Sequence, residues 1–247
     1  MFELISPVFR RLYESTGVNF VFLYDSYEYG RFVNGVLLTI ELGICCLLLS
    51  VLIGILGAWA QEARSRILRL LIAGYIQAFR NTPPIVQLLF FYFALGALTP
   101  KVSADGYSIP IISAFDWAVI SLGCFGGAFN VEIFRSGIEA VPHSTREAGE
   151  ALGYTKSQAF FYITLPLAFR FCLPALTNNL VSLLKTTSLA YAITVPEVTL
   201  VSSQIWSDNL NVAEMMLTLF IFYNFIVAML AWAMHRLERA LKIPGYG

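Results

Sequence analysis

Residues 32–60 read FVNGVLLTIELGICCLLLSVLIGILGAWA, with Glu41 as the single charged residue. At about 1.5 Å per residue this helix would run about 43 Å, more than the roughly 30 Å hydrocarbon core of a bilayer. It is read as the first membrane span. Four more apolar runs follow, at about Leu70–Leu98, Phe115–Phe134, Leu167–Val195 and Ala213–Met234. The second is interrupted by Thr82-Pro83-Pro84 and the fourth by Pro174. Proline lacks a backbone donor and clashes with the preceding turn, so a kink or break is expected at both. Five spans are expected, with six as the alternative if an interrupted run is split.

Composition points the same way. Of 247 residues 57% are hydrophobic and only 13% charged, and mean hydropathy is +0.70. A soluble domain carries about 25% charged residues, so lipid is the solvent for most of this all-α chain. Lysine plus arginine and aspartate plus glutamate balance at 16 each. No basic tract is present, which excludes nucleic acid as a partner.

The basic residues between spans set the orientation. Arg64, Arg66, Arg69, Arg135, Arg146, Lys156, Arg170, Arg236, Arg239 and Lys242 fall on one side, and Arg10, Arg11, Arg31 and Lys101 on the other. Cytoplasmic loops are enriched in Lys and Arg, which puts the N-terminus outside and the C-terminus in the cytoplasm. The expected division is an external or interfacial segment at 1–31 and one transmembrane domain at 32–247. MFELISPVFRRLYEST lacks a basic start followed by an apolar run, so the first span is expected to serve as the insertion signal.

Smaller features have ordinary readings. Phe2, Ile5, Phe9, Leu12 and Tyr13 recur at helical spacing, as in a short helix on the outer interface. Tyr24, Tyr27 and Tyr29 read as an aromatic belt. Gly123 and Gly127 make a small-xxx-small pair, for close helix packing or a hinge. Cys45, Cys46, Cys124 and Cys172 lie in apolar runs without metal-ligand spacing. The outer acidic residues, among them Asp105, Glu197 and Asp208, read as a solvated face.

Catalytic chemistry has no visible basis. There is no G-x-x-x-x-G-K-[ST] loop to cradle phosphates. His143 and His235 lie in separate segments without a nucleophile or metal-ligand partner. Specific features concentrate instead in the cytoplasmic loop at 138–166, which contains Val141-Pro142-His143-Ser144-Thr145-Arg146-Glu147-Ala148-Gly149-Glu150-Ala151-Leu152-Gly153 and ends Ile163-Thr164-Leu165-Pro166. Ser144 or Thr145 is expected to cap a helix whose first turns carry Glu147 and Glu150. Ala148, Ala151 and Leu152 give it a small apolar face. Gly153 ends it, and helical spacing resumes from Tyr154. The result is a compact knob suited to a groove on another protein.

This loop resembles the EAA loop of ATP-binding-cassette importer permeases: Glu147-Ala148-Gly149, Gly153, Ile163 and Leu165-Pro166 fall at its spacings. Gly149 replaces the second alanine, at a helix cost of about 0.8–1.0 kcal/mol, and Ser144-Thr145 replaces the common G-Q. Phe79-Arg80-Asn81-Thr82-Pro83-Pro84-Ile85-Val86-Gln87 resembles a stretch of the polar amino-acid branch. So do Phe129 to Ile138, with Glu132 and Arg135, and the run with Asn178, Leu184, Lys185 and Thr187-Ser188-Leu189. The similarity covers about Gly35 to Leu237.

The resemblance implies a type I importer permease in the bacterial inner membrane, paired with an identical or related permease. It implies no cofactor or metal in this chain. Two ATPase subunits would bind Mg-ATP and receive the EAA loops, and an external binding protein would deliver a polar amino acid. Glu147 would then contact a basic residue of the ATPase. Charges at membrane depth usually face a cavity or partner. The candidate substrate path is therefore Arg80, Gln87, Glu132, Asn178, Asn179, Lys185 and Ser188, the ordinary alternative being that these satisfy freed backbone groups or pair with each other. Other readings are a permease of this type for another small polar solute, or a non-transporting signalling or scaffold subunit that docks an ATPase.

Overall fold

The computed structural model describes residues 2–63, 65–104 and 107–241. Arg64, Asp105 and Lys242, used above for loop charge, lie outside the described residues. Helix α1 (Phe2–Thr16) precedes α2 (Ser26–Gln61), whose start is capped by Asp25 accepting from the Tyr27 and Glu28 amides. Helices α3 (Arg66–Arg80) and α4 (Pro84–Leu89) follow, and α4 runs on through a wide turn at Phe90–Leu95 and a tight one at Gly96–Leu98. A hairpin pairs β1 (Lys101–Ala104) with β2 (Tyr107–Pro110). Helix α5 (Ala114–Glu139) starts in a Ser113–Asp116 capping box. Then come α6 (His143–Ala151), α7 (Lys156–Ala159), α8 (Leu165–Thr186), α9 (Val198–Asn209) and α10 (Val212–Leu241). A wide turn at Phe160–Thr164 joins α7 to α8, and a tight one at Thr187–Ile193 extends α8.

Among the described residues four helices are long and apolar enough to cross a membrane: α2, α5, the run from Lys156 to Ile193, and α10. The pair Arg66–Arg80 and Pro84–Leu98, bent by 109°, passes the same test when taken together and is the fifth candidate span. The expected five spans are present.

The two proline sites behave differently. The Thr82-Pro83-Pro84 break is real. At Pro174 no break forms, and α8 stays helical from Leu165 to Thr186. A single proline deletes one hydrogen bond, which a long packed helix can absorb. Successive prolines also force the residue before each into extended backbone, and Pro83 sits at φ −57°, ψ 136°.

Helix α5 is the hub, approached closely through glycine. A methyl group at Gly123 would stand 2.6 Å from the Leu49 side chain, and one at Gly127 2.7 Å from Ile53. Both glycines are therefore filled by α2, which supports packing over a hinge. On the other side, a methyl at Gly137 would meet the Ala168 carbonyl of α8 at 2.7 Å. A buried polar thread ties the three helices: Asn179 donates to Asn130 Oδ1 (2.7 Å) and the Gly126 carbonyl (3.1 Å), and Asn130 donates to Ser50 Oγ (3.1 Å). Such side chains are glue between helices in lipid.

Two elements were not expected. One is the β1–β2 hairpin. The other is α9, which folds back along the start of α2. Its fully buried Glu197 caps it by accepting from the Thr199 (2.8 Å) and Leu200 (3.0 Å) amides. Arg31 of α2 reaches its far end, holding Asp208 and Gln204 at 3.1 Å. Helix α1 forms as expected, and three aromatic residues of its stripe pack on the chain itself. Phe2 packs on Tyr29, Phe9 on Phe20 and Tyr13 on Tyr24. Two of the three tyrosines read as a membrane belt thus serve as its docking surface, and Leu4 and Val8 are left open.

Candidate functional site: a rooted hairpin and a polar helix face

The loop at 138–166 folds as a helical hairpin. Pro142, not Ser144 or Thr145, occupies the N-cap of α6, without a side-chain hydrogen bond, and its φ of −54° leads into the helix. The expected hydroxyl cap is thus corrected. The end of α6 is closed by backbone alone: the Tyr154 amide donates to the Gly149 carbonyl (3.3 Å) and the Gly153 amide to the Glu150 carbonyl (3.0 Å). This pair of bonds needs a left-handed residue between them. Gly153 supplies it at φ +86°. Helix α7 then starts from a Thr155–Gln158 capping box.

Gly149 has a packing role. It is buried, and a methyl there would stand 2.6 Å from Ile163 Cδ1. The missing alanine methyl is thus replaced by Ile163 of the returning helical arm, which closes the two arms together. Glu147, Ala148, Ala151 and Leu152 are exposed, Leu152 at 78%. Glu147 Oε1 lies 3.1 Å from Nδ1 of His143, one turn earlier and also exposed. Leu165 is half-buried and Pro166 exposed at the start of α8. The lost proline donor at 166 falls beside the wide turn at Phe160–Thr164, where helical bonding is already re-registered.

The tip is open and the roots are fixed. Val141, Phe160 and Ile138 are buried with Ala58 of α2, Phe134 of α5 and Cys172 and Leu176 of α8. A force on the tip therefore reaches three spans directly.

The membrane-depth candidates separate into two groups. Gln87 and Asn179 face inward. The Gln87 amide donates to the Phe79 (2.7 Å) and Thr82 (2.9 Å) carbonyls freed by the proline break, and Asn179 belongs to the buried thread. Arg80 lies 3.7 Å from Glu132 and 5.2 Å from the centre of the Phe129 ring. Glu132 also holds Arg135 at 3.2 Å. Ser188 donates to the Lys185 carbonyl (2.9 Å). Asn178 and Lys185 are exposed on one face of α8, with Ser182 between them. Ser182 was missed, although its spacing of four from Asn178 and three from Lys185 was the available signal. Asn130 and Ser50 were missed as glue because nothing local marks which polar residues of a span face a partner.

This helical core matches solved ATP-binding-cassette transporters. An amino-acid ATP-binding-cassette transporter solved with histidines aligns at a TM-score of 0.73 and 27% identity, over 90% of this chain and 99% of that one. The methionine transporter MetNI, captured inward-facing, shares the fold at a TM-score of 0.67 and 18% identity, over 89% of this chain and 100% of that one. The structure is that of a type I ABC importer permease. Residues 50–243 match the family described as binding-protein-dependent transport system inner membrane component, and the chain belongs to it.

Similar relatives include the glutamine transport system permease GlnP of Escherichia coli K12, 31% identical over 85% of this chain and 93% of that protein. The L-cystine transport system permease TcyB of Bacillus subtilis is 33% identical over 84% of this chain and 85% of that protein. As a member, the chain is a non-catalytic membrane component of a transport system in the inner membrane.

Proposed function

We propose that the chain is one of two membrane-spanning subunits of an ATP-driven importer for a polar amino acid. The observation that carries this is the hairpin at 143–164, open at Glu147, Ala148, Ala151 and Leu152 and rooted in three spans. The relatives' named cargoes, glutamine and cystine, support the amino-acid class. The hairpin faces the cytoplasm and seats in a cleft of a partner ATPase, where Glu147 meets a basic group. Closure of the two ATPase subunits around Mg-ATP draws the two hairpins together, and Val141 and Phe160 pass the motion to α2, α5 and α8.

On the outer side a binding protein delivers the substrate. The open face Asn178, Ser182 and Lys185, with the Arg80–Glu132 pair, lines the path. Lys185 and Arg80 suit a carboxylate and Glu132 an ammonium, so a zwitterion meets both signs. Gln87 and Asn179, whose amides are engaged inside the protein, hold the path in shape.

The test is purification of the tagged chain from native membranes. An ATPase is expected to come with it, and Gly153→Asp is expected to lower that yield at least about fivefold, since a side chain in the left-handed region costs about 1–2 kcal/mol and opens the turn. Unchanged recovery of the ATPase with this variant would sink the docking role.

A further inference from the structure

Helix α2 leaves one face uncovered by the rest of the chain. Asn34, Leu37, Glu41, Ile44 and Leu48 all lie on it and all are exposed. Their spacing of three, four, three and four is the a/d repeat of a helix–helix seam, with Asn34 and Glu41 at equivalent positions. Glu41 is the charged residue of the 32–60 run. It lies about 22 Å along the helix from Ser26 and about 30 Å from Gln61, which puts it within the hydrocarbon layer. Among the described residues no hydrogen bond or ion pair satisfies it. A carboxylate there is costly unless a partner meets it.

We propose that this face is a docking seam for a transmembrane helix of a different membrane chain, one carrying a lysine, arginine or histidine at the depth of Glu41. Charge complementarity selects the occupant. A second copy docked through the same seam would set Glu41 against Glu41, and lipid tails would leave the carboxylate unmet. Asn34, two turns toward the N-terminal end, offers a further hydrogen bond that fixes the register. The seam requires only that α2 spans the membrane, so it stands or falls separately from the ATPase-docking role of the hairpin.

The test is photo-crosslinking in native membranes, with a benzophenone amino acid at Ile44 or Leu48 and, as a control, at Phe225 on the exposed side of α10. The expected result is an adduct, from the seam positions only, to a membrane-spanning peptide with a basic residue within one turn of the crosslink. Glu41→Leu is expected to weaken that adduct at least about threefold, Glu41→Gln to weaken it less, and Glu41→Asp, which keeps the carboxylate, to retain most of it, in the range of interhelical polar contacts. Equal detergent-extracted yields of the variants establish that the chain is intact. Adducts to lipid alone, adducts to a second copy of this chain, or an adduct indifferent to Glu41→Leu would overturn the proposal.

Discussion

The second and fourth spans both carry proline in the middle of a long apolar run, yet one is bent by 109° and the other is a continuous helix. In the second, Pro83 and Pro84 exclude helical backbone at two successive residues. The amide that would have met the Phe79 carbonyl is lost to Pro83, the Val86 amide turns to the Pro83 carbonyl and leaves that of Thr82 free, and Gln87, one turn into α4, serves both with its side chain. In the fourth, Pro174 removes one donor and the helix continues through it without a break. Proline marks where a break is possible. Whether it forms depends on a second restraint on the backbone and on a side chain able to satisfy what the break exposes.

Three substitutions probe this difference, from the largest effect down. Gln87→Leu leaves two carbonyls without their donor at membrane depth and is expected to destabilise the protein by about 3 kcal/mol, read as a lowered midpoint of thermal unfolding in detergent. A midpoint within a degree of the parent would show that the break is held by other means. Pro174→Ala restores the amide that can reach the Arg170 carbonyl and is expected to stabilise by about 1 kcal/mol, while spin-label distances across α8 stay unchanged. A change in those distances would mean that Pro174 shapes the helix after all. Thr82→Val removes the hydroxyl donated to the Ala78 carbonyl at 2.8 Å. It is expected to cost only about 0.5 kcal/mol, because that carbonyl sits beside an open surface.

The hairpin offers a parallel contrast between its two glycines. Gly153→Ala forces a side chain into the left-handed region and is expected to cost about 1–2 kcal/mol. Gly149→Ala gains helix propensity of about 0.8–1.0 kcal/mol while displacing the end of a flexible Ile163, so its net effect is expected within about 0.5 kcal/mol of zero. Thermal unfolding of both variants in the same detergent checks the order.

The reach of the sequence can be traced residue by residue. Five spans, the break at 82–84 and the turn at Gly153 were legible because each follows from local backbone restriction or from a long apolar run. Helix α9 was less legible, since its 12 residues are too short to stand out by hydropathy. Its signal was Glu197 after Pro196, a capping residue before Val198. The β1–β2 hairpin was announced by the Asp105-Gly106 dipeptide. Gly149 read as a weakness because propensity is local, whereas its compensation, Ile163, lies fourteen residues away. Gln87 and Asn178 look alike in the sequence. Only tertiary contacts show that one is engaged inside the break and the other lies on an open face.

The central claim is that motion of the hairpin drives solute through these spans. Its most direct measurement is uptake of labelled amino acids into liposomes that hold this chain, its co-purified permease and ATPase, with the binding protein on the opposite side from the ATPase. Accumulation that needs both ATP and the binding protein, and that Gly153→Asp abolishes while the spans remain folded, is the predicted result. ATP hydrolysis by the bound ATPase without accumulation of any amino acid, or accumulation unchanged by Gly153→Asp, would contradict it.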